Sequence, residues 1–299
     1  MDLQTTILAL LRGFHLAALL SLFGTLVSLA LVAPVGLRNA GAAAAPARRR
    51  LISLARWSSG LALLIGACWI VLQASVIAGA TTIGGTLHAL VLVARDTQFG
   101  NLVLIRFALL FLALPLLGGR GWRLAVALLL TGTALAMQGG IGHAGATAGV
   151  NRATLLALEA LHLLAAGAWV GGLLPLFLLV GLLPPPVAAA VCESFTPVGL
   201  SAVLAIASTA LAQAWQWVGS VGGLLGTEYG RIALVKLGLF LLLLILACVN
   251  RFALTERLRD LARPLTRRWL SMSVAAEATL GMLVIMAAAF LASAAPATH

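Results

Sequence analysis

Eight stretches of this chain run for about 20 residues or more with few or no charged side chains, the length a helix needs to cross the hydrocarbon core of a bilayer. They lie at Gly13–Leu37, Trp57–Ala94, Phe99–Leu117, Leu124–Gly140, Ala153–Leu183, Pro197–Gly219, Gly230–Asn250 and Ser271–Ala294. The third is interrupted by Arg106. Thr81-Thr82 and Gly84-Gly85 mark a polar exit from the second, and Pro184-Pro185-Pro186 ends the fifth, punctuation that suits helices better than strands. An all-α polytopic membrane protein follows, with the lipid bilayer as its first partner. A soluble fold is excluded, because 62% of the 299 residues are hydrophobic and 9% charged, against about 45–50% and 25% in soluble domains. The net charge of +11 on a soluble chain would suggest nucleic acid; here the basic residues punctuate apolar runs, and no nucleic-acid partner is expected.

The arginines orient the spans. Arg38, Arg48, Arg49, Arg50 and Arg56 fall in the first connection, Arg120 and Arg123 in the third, and Arg251, Arg257, Arg259, Arg263, Arg267 and Arg268 in the seventh, so 13 of the 19 basic residues share one side. The positive-inside rule makes that side cytoplasmic and both termini periplasmic. The N-terminal run lacks a basic n-region, carries Asp2 and is too long for a signal peptide, so a retained first helix is expected. Cys68, Cys192 and Cys248 form no CxxC motif and no even framework, and Cys68 and Cys248 are expected to pack as small apolar residues.

The chain also resembles itself. Leu11-Arg12-Gly13-Phe14-His15-Leu16-Ala17-Ala18 aligns with Leu158-Glu159-Ala160-Leu161-His162-Leu163-Leu164-Ala165, placing His15 on His162 and Gly24 on Gly171. Thr97-Gln98-Phe99-Gly100 matches Thr227-Glu228-Tyr229-Gly230, and Arg106 falls on Lys236. Two parallel four-helix repeats are expected, residues 1–150 and 151–299, related by a pseudo-twofold axis along the membrane normal.

Ionisable groups inside a membrane are costly and invite a functional reading. Counted along the helices, His15, His162, His143, Met137, Met282 and Met286 all fall in the outer half, and imidazole and thioether are ligands that suit copper, Met favouring Cu(I). Met282 and Met286 also suit lipid-facing or core packing, and each histidine suits an interhelical hydrogen bond. Arg106 and Lys236, at equivalent depths, would hold an anionic group, pair with Glu159, or snorkel. Glu277 reads as a proton or cation relay, or as an interhelical hydrogen bond. His88 and His299 read as surface residues.

The segment Glu159-Ala160-Leu161-His162 through Trp169-Val170-Gly171-Gly172-Leu173-Leu174-Pro175, with Gly142-His143-Ala144, Thr227-Glu228-Tyr229-Gly230, Asn250-Arg251, Glu277 and Pro296, resembles the copper-resistance D (CopD) family of bacterial inner-membrane proteins. That resemblance implies copper movement from periplasm toward cytoplasm, a transporter rather than an enzyme, often beside a CopC-type periplasmic copper-binding partner. The copper oxidation state stays open between Cu(I) and Cu(II). Two alternatives stand beside it: a haem b redox protein with His15 and His162 as axial ligands and Arg106 and Lys236 on the propionates, and a non-transporting anchor for a periplasmic copper carrier. The absence of CxxCH excludes only covalently attached haem.

Overall fold

The computed structural model describes residues 3–141, 152–255 and 265–293; His143 and His299 lie outside them. Every regular element described is helical, and eight helices are long and apolar enough to cross a membrane. They are α1 (Leu3–Asn39), α2 (Ala44–Ile77), α4 (Gln98–Ala113), α5 (Trp122–Ala136), α6 (Arg152–Leu182), α7 (Pro185–Trp217), α9 (Glu228–Val249) and α10 (Leu265–Leu291), with two shorter helices, α3 (Ile83–Asp96) and α8 (Val221–Gly226). The protein is an all-α polytopic membrane protein. Below, the end where α1 starts is the terminal end and the opposite one the arginine end.

Helices α1, α7 and α10 begin before the uncharged stretches that announce them, while α4 and α5 are shorter than theirs. Residues 83–94, part of the second apolar run, form the separate helix α3. Thr82 starts it by accepting a hydrogen bond from the Gly85 amide at 3.1 Å, an N-cap that ends the chain's continuity with α2. The prolines at 184–186 open α7 rather than only closing α6, since proline suits a first helical turn. Helix α7 therefore starts twelve residues before Pro197, which sits inside it. Cys68 and Cys248 are exposed and Cys192 is buried.

α1 and α6 occupy the centre and cross backbone to backbone. A Cβ on Gly24 would collide with Gly171 and the Gly167 carbonyl, and a Cβ on Gly171 with the Leu20 carbonyl. The contact is reciprocal under the same alignment that pairs His15 with His162, because that alignment also pairs Leu20 with Gly167. A twofold-related contact has this self-complementary form. Local devices repeat as well. Thr97 and Thr227 each accept from the amide three residues on, at 3.0 Å, and each donates to a carbonyl four residues back, Val93 or Gly223, at 2.6 Å.

Exposed Trp57, Trp122 and Trp269 ring the arginine end, where amphipathic rings mark a membrane interface. Arg48 donates to the Gly118 and Gly119 carbonyls at 3.0 Å each, tying the α4–α5 connection to α2.

Candidate functional site

His15 and His162 occupy equivalent positions with unequal outcomes. His15 Nδ1 lies 2.8 Å from the Ala62 carbonyl oxygen, which only accepts, so Nδ1 carries the proton. Arg106 Nη2 donates to His15 Nε2 at 3.0 Å, and Arg106 Nε donates to the Ala134 carbonyl at 2.9 Å. Both ring nitrogens are thus engaged, and in this arrangement His15 offers no lone pair to a metal or a haem iron. Gly66 makes room for the ring: a Cβ there would stand 2.8 Å from it. Arg106 is 1% exposed and does not snorkel; it ties α4 to α1 and α5.

His162 makes its Nδ1 contact to Thr209 Oγ1 at 2.9 Å, across the same 47-residue separation as His15 to Ala62. The Thr209 hydroxyl donates its one hydrogen to the Ala205 carbonyl at 2.6 Å and therefore accepts from His162. That leaves Nε2 as the nitrogen with a lone pair. His162 faces a cavity of about 140 Å³ at the terminal end, shared with Arg12, Gln138, Glu159, Gln213 and Lys236. Where Arg106 fills the first position with a guanidinium, Lys236 brings a narrower head and leaves space. Glu159 is the carboxylate whose charge reaches both Arg12 and Lys236.

Of the expected methionine and histidine cluster, among the described residues only His162 lines that cavity. Met286 packs its sulfur against Gly13, 2.7 Å from where a Cβ would stand, so it fills the α1–α10 crossing. Met282 is 37% exposed on the outer face, and Met137 ends α5 partly buried; none of the three lines the cavity. Among the described residues, no group of three or more His, Cys, Asp or Glu side chains is placed to hold a metal ion. Of the acidic and basic residues singled out in the sequence, Glu159 and Lys236 come together and Arg106 stands apart, on the His15 side.

A second cavity, of about 310 Å³, opens at the arginine end between α6, α7, α9 and α10, helices that wall the first cavity together with α1 and residues 138–139. Glu277, Asn250, Arg251, Thr196, Cys192 and Cys248 face it among apolar groups. Asn250 begins a π turn, Asn250–Leu254, and its side-chain amide donates to the Glu277 carboxylate. The turn is held by the Thr255 hydroxyl, which donates to the Asn250 carbonyl at 2.8 Å. Trp169, in the wall of the second cavity, packs edge to face on Phe240 with centroids 6.0 Å apart. Phe240 lies midway along α9 between Lys236 in the first cavity and Leu244 in the second.

Residues 2–154 match the profile of the copper resistance protein D-like N-terminal domain, and residues 189–291 match that of copper resistance protein D. This chain belongs to the copper resistance protein D family. It is 26% identical over 296 residues to the inner membrane protein YebZ of Escherichia coli K12, spanning 96% of this chain and 97% of that protein. It is 32% identical over 140 residues to the copper transport protein CutJ of Bacillus subtilis 168, spanning 46% of this chain but only 24% of CutJ. No solved structure matches. The N-terminal copper resistance D profile covers the closed His15–Arg106 arrangement, and the C-terminal one covers most of the arginine-end cavity. Glu159, His162 and Trp169 fall between the two matched stretches. Sequence reasoning missed Arg12, Gln138 and Gln213 as functional candidates, and it named Asn250 only as part of the family resemblance. Arg12 alone had a signal, since it aligns with Glu159 as an opposite charge in the same column.

Proposed function

We propose that this copper resistance D protein is a multi-pass protein of the bacterial inner membrane that moves copper from the periplasm toward the cytoplasm. The observation that carries the reading is the pair of cavities at opposite ends of α6, α7, α9 and α10, with Trp169 packed on Phe240 in the wall of the second. The names of the relatives supply the cargo and the membrane. Copper is captured at His162 Nε2, an imidazole donor that suits it, and leaves past Glu277, Cys192 and Cys248, of which the thiols are soft ligands. Capture stays weak because few ligands converge at either end, and multi-site weak binding is what lets an ion move on. The second four-helix unit then supplies most of the conduit, while α1 and residues 138–139 of the first close its terminal-end cavity, the two units related by a pseudo-twofold axis through the Gly24–Gly171 crossing. Bis-histidine haem is the weaker reading, because His15 has no nitrogen free for iron. A CopC-type copper-binding protein is the proposed periplasmic donor.

Purified protein in proteoliposomes, with a Cu(I)-specific chelator dye enclosed, should accumulate copper above protein-free vesicles. Glu277→Gln is expected to keep copper binding in detergent at the wild-type stoichiometry and to lower the uptake rate about tenfold or more, as loss of a costly intramembrane relay would. Wild-type uptake in that variant would return Glu277 to a purely structural hydrogen bond with Asn250. No uptake by the wild-type chain would remove the transport reading itself.

The orientation is testable separately. Reporter fusions at Ala45 and Asp260 are expected in the cytoplasm, and fusions at Ala146 and after His299 in the periplasm, following the arginine asymmetry. A cytoplasmic C-terminus would contradict the eight-span arrangement.

A further inference from the structure

The terminal-end cavity has a charge inventory that copper capture does not explain. Arg12 and Lys236 bring two positive charges to it and Glu159 one negative charge, while His162, donating through Nδ1 and carrying a lone pair on Nε2, adds none. Tyr229, the other ionisable group in the lining, is neutral as a phenol; across α1, Arg106 is positive too and among the described residues donates to the neutral acceptors His15 and Ala134. Arg12, Glu159 and Lys236 are each half-buried on membrane-spanning helices, where a cation in excess of its counter-charges is costly and favours an anion.

The neutral polar groups point the same way. Gln138 is 3% exposed, and among the described residues neither its amide nitrogen nor its amide oxygen has a partner; the amide nitrogen of Gln213 also lacks one. Both glutamines line the cavity. Buried amides left this way imply a bound group, because an unmade hydrogen bond costs more than a made one returns. Beside Tyr229 and Trp217, which have partners of their own, the donors in the cavity are a guanidinium, an ammonium and two amides, and the acceptors include one carboxylate, one imidazole nitrogen and the Gln138 amide oxygen. With about 140 Å³ available, the missing species is small. A guanidinium fork matches a planar carboxylate in two parallel hydrogen bonds.

We propose that this cavity is a binding site for a small carboxylate anion, held between Arg12 and Lys236 with the Gln138 and Gln213 amides as further donors. The inference goes beyond the copper reading and does not depend on it. Where copper is the cargo, the anion cancels the positive field that otherwise repels a cation from His162.

The test uses metal-free, full-length protein in detergent and formate as the probe, at constant ionic strength with gluconate as the exchanged salt. Gluconate shares the carboxylate, but its hydroxyl-bearing chain would lose water against Leu16, Leu20 and Val284. Formate is expected to raise the midpoint of thermal unfolding saturably, by about 3 °C or more, as a ligand of the native state does. Glu159→Gln is expected to lower the half-saturating formate concentration, since it removes the competing carboxylate. Lys236→Met and Arg12→Gln are each expected to abolish the shift. Should either of these fold poorly, the Glu159→Gln titration still decides. Equal shifts with both salts, or a Glu159→Gln response no tighter than wild type, would overturn the proposal while leaving copper uptake unaffected.

Discussion

Valine in place of Gly171 is expected to remove most folded protein from the membrane. The α1–α6 crossing brings backbone against backbone, and the smallest added side chain collides with the Leu20 carbonyl. No rotamer change relieves a clash with backbone, so the helices must separate along the most buried seam of the bundle, at a cost above about 3 kcal/mol. Detergent extraction followed by size-exclusion chromatography reads the loss as a vanished monodisperse peak. Gly238→Ala supplies the internal comparison: a Cβ at Gly238 meets nothing within 4 Å, and that variant is expected to match or slightly exceed wild type. A normal peak from Gly171→Val would mean that α1 and α6 do not pack this closely.

The paired histidines should separate just as sharply. His162→Ala is expected to fold normally and to lose about tenfold or more in copper uptake, because it deletes the nitrogen facing the cavity without unpairing a charge. His15→Ala is expected to lose folded protein, since it strips Arg106 of one of its two acceptors within the membrane, and a lost hydrogen bond to a buried charged group costs about 1.5–3 kcal/mol. Arg106→Leu added to His15→Ala should then restore much of the folded yield, which simple loss of a metal ligand would not do. A well-folded His15→Ala variant that binds no copper would reinstate a ligand shared by the two histidines.

Spans were legible in the sequence because hydropathy and length are local properties, and the chain's alternation of apolar runs with arginine clusters states them directly. Boundaries were less so. The run from Trp57 to Ala94 is continuous in hydropathy, yet the Thr82 cap divides it, and Pro185 starts a helix where a stop was expected. Site residues depended on packing, which hydropathy does not encode. Met282 and Met286 share a helix face as their spacing requires, but that face meets Gly13 and the surroundings of the bundle instead of His162. Arg106 and Lys236 look interchangeable in an alignment. Their difference emerges only from reach: the guanidinium spans two acceptors on separate helices, and the ammonium leaves a cavity.

The Trp169–Phe240 pair has an electrical consequence. From Lys236 to Leu244 is about 12 Å along α9, less than half of the roughly 30 Å hydrocarbon thickness. On the proposed copper path, an ion in either cavity already lies part-way across the membrane, so passing Trp169 and Phe240 carries it through a share of a potential worth about 2.3 kcal/mol per elementary charge at 100 mV in all. The rate of that one step should then rise with voltage, and less steeply than a crossing of the entire bilayer would.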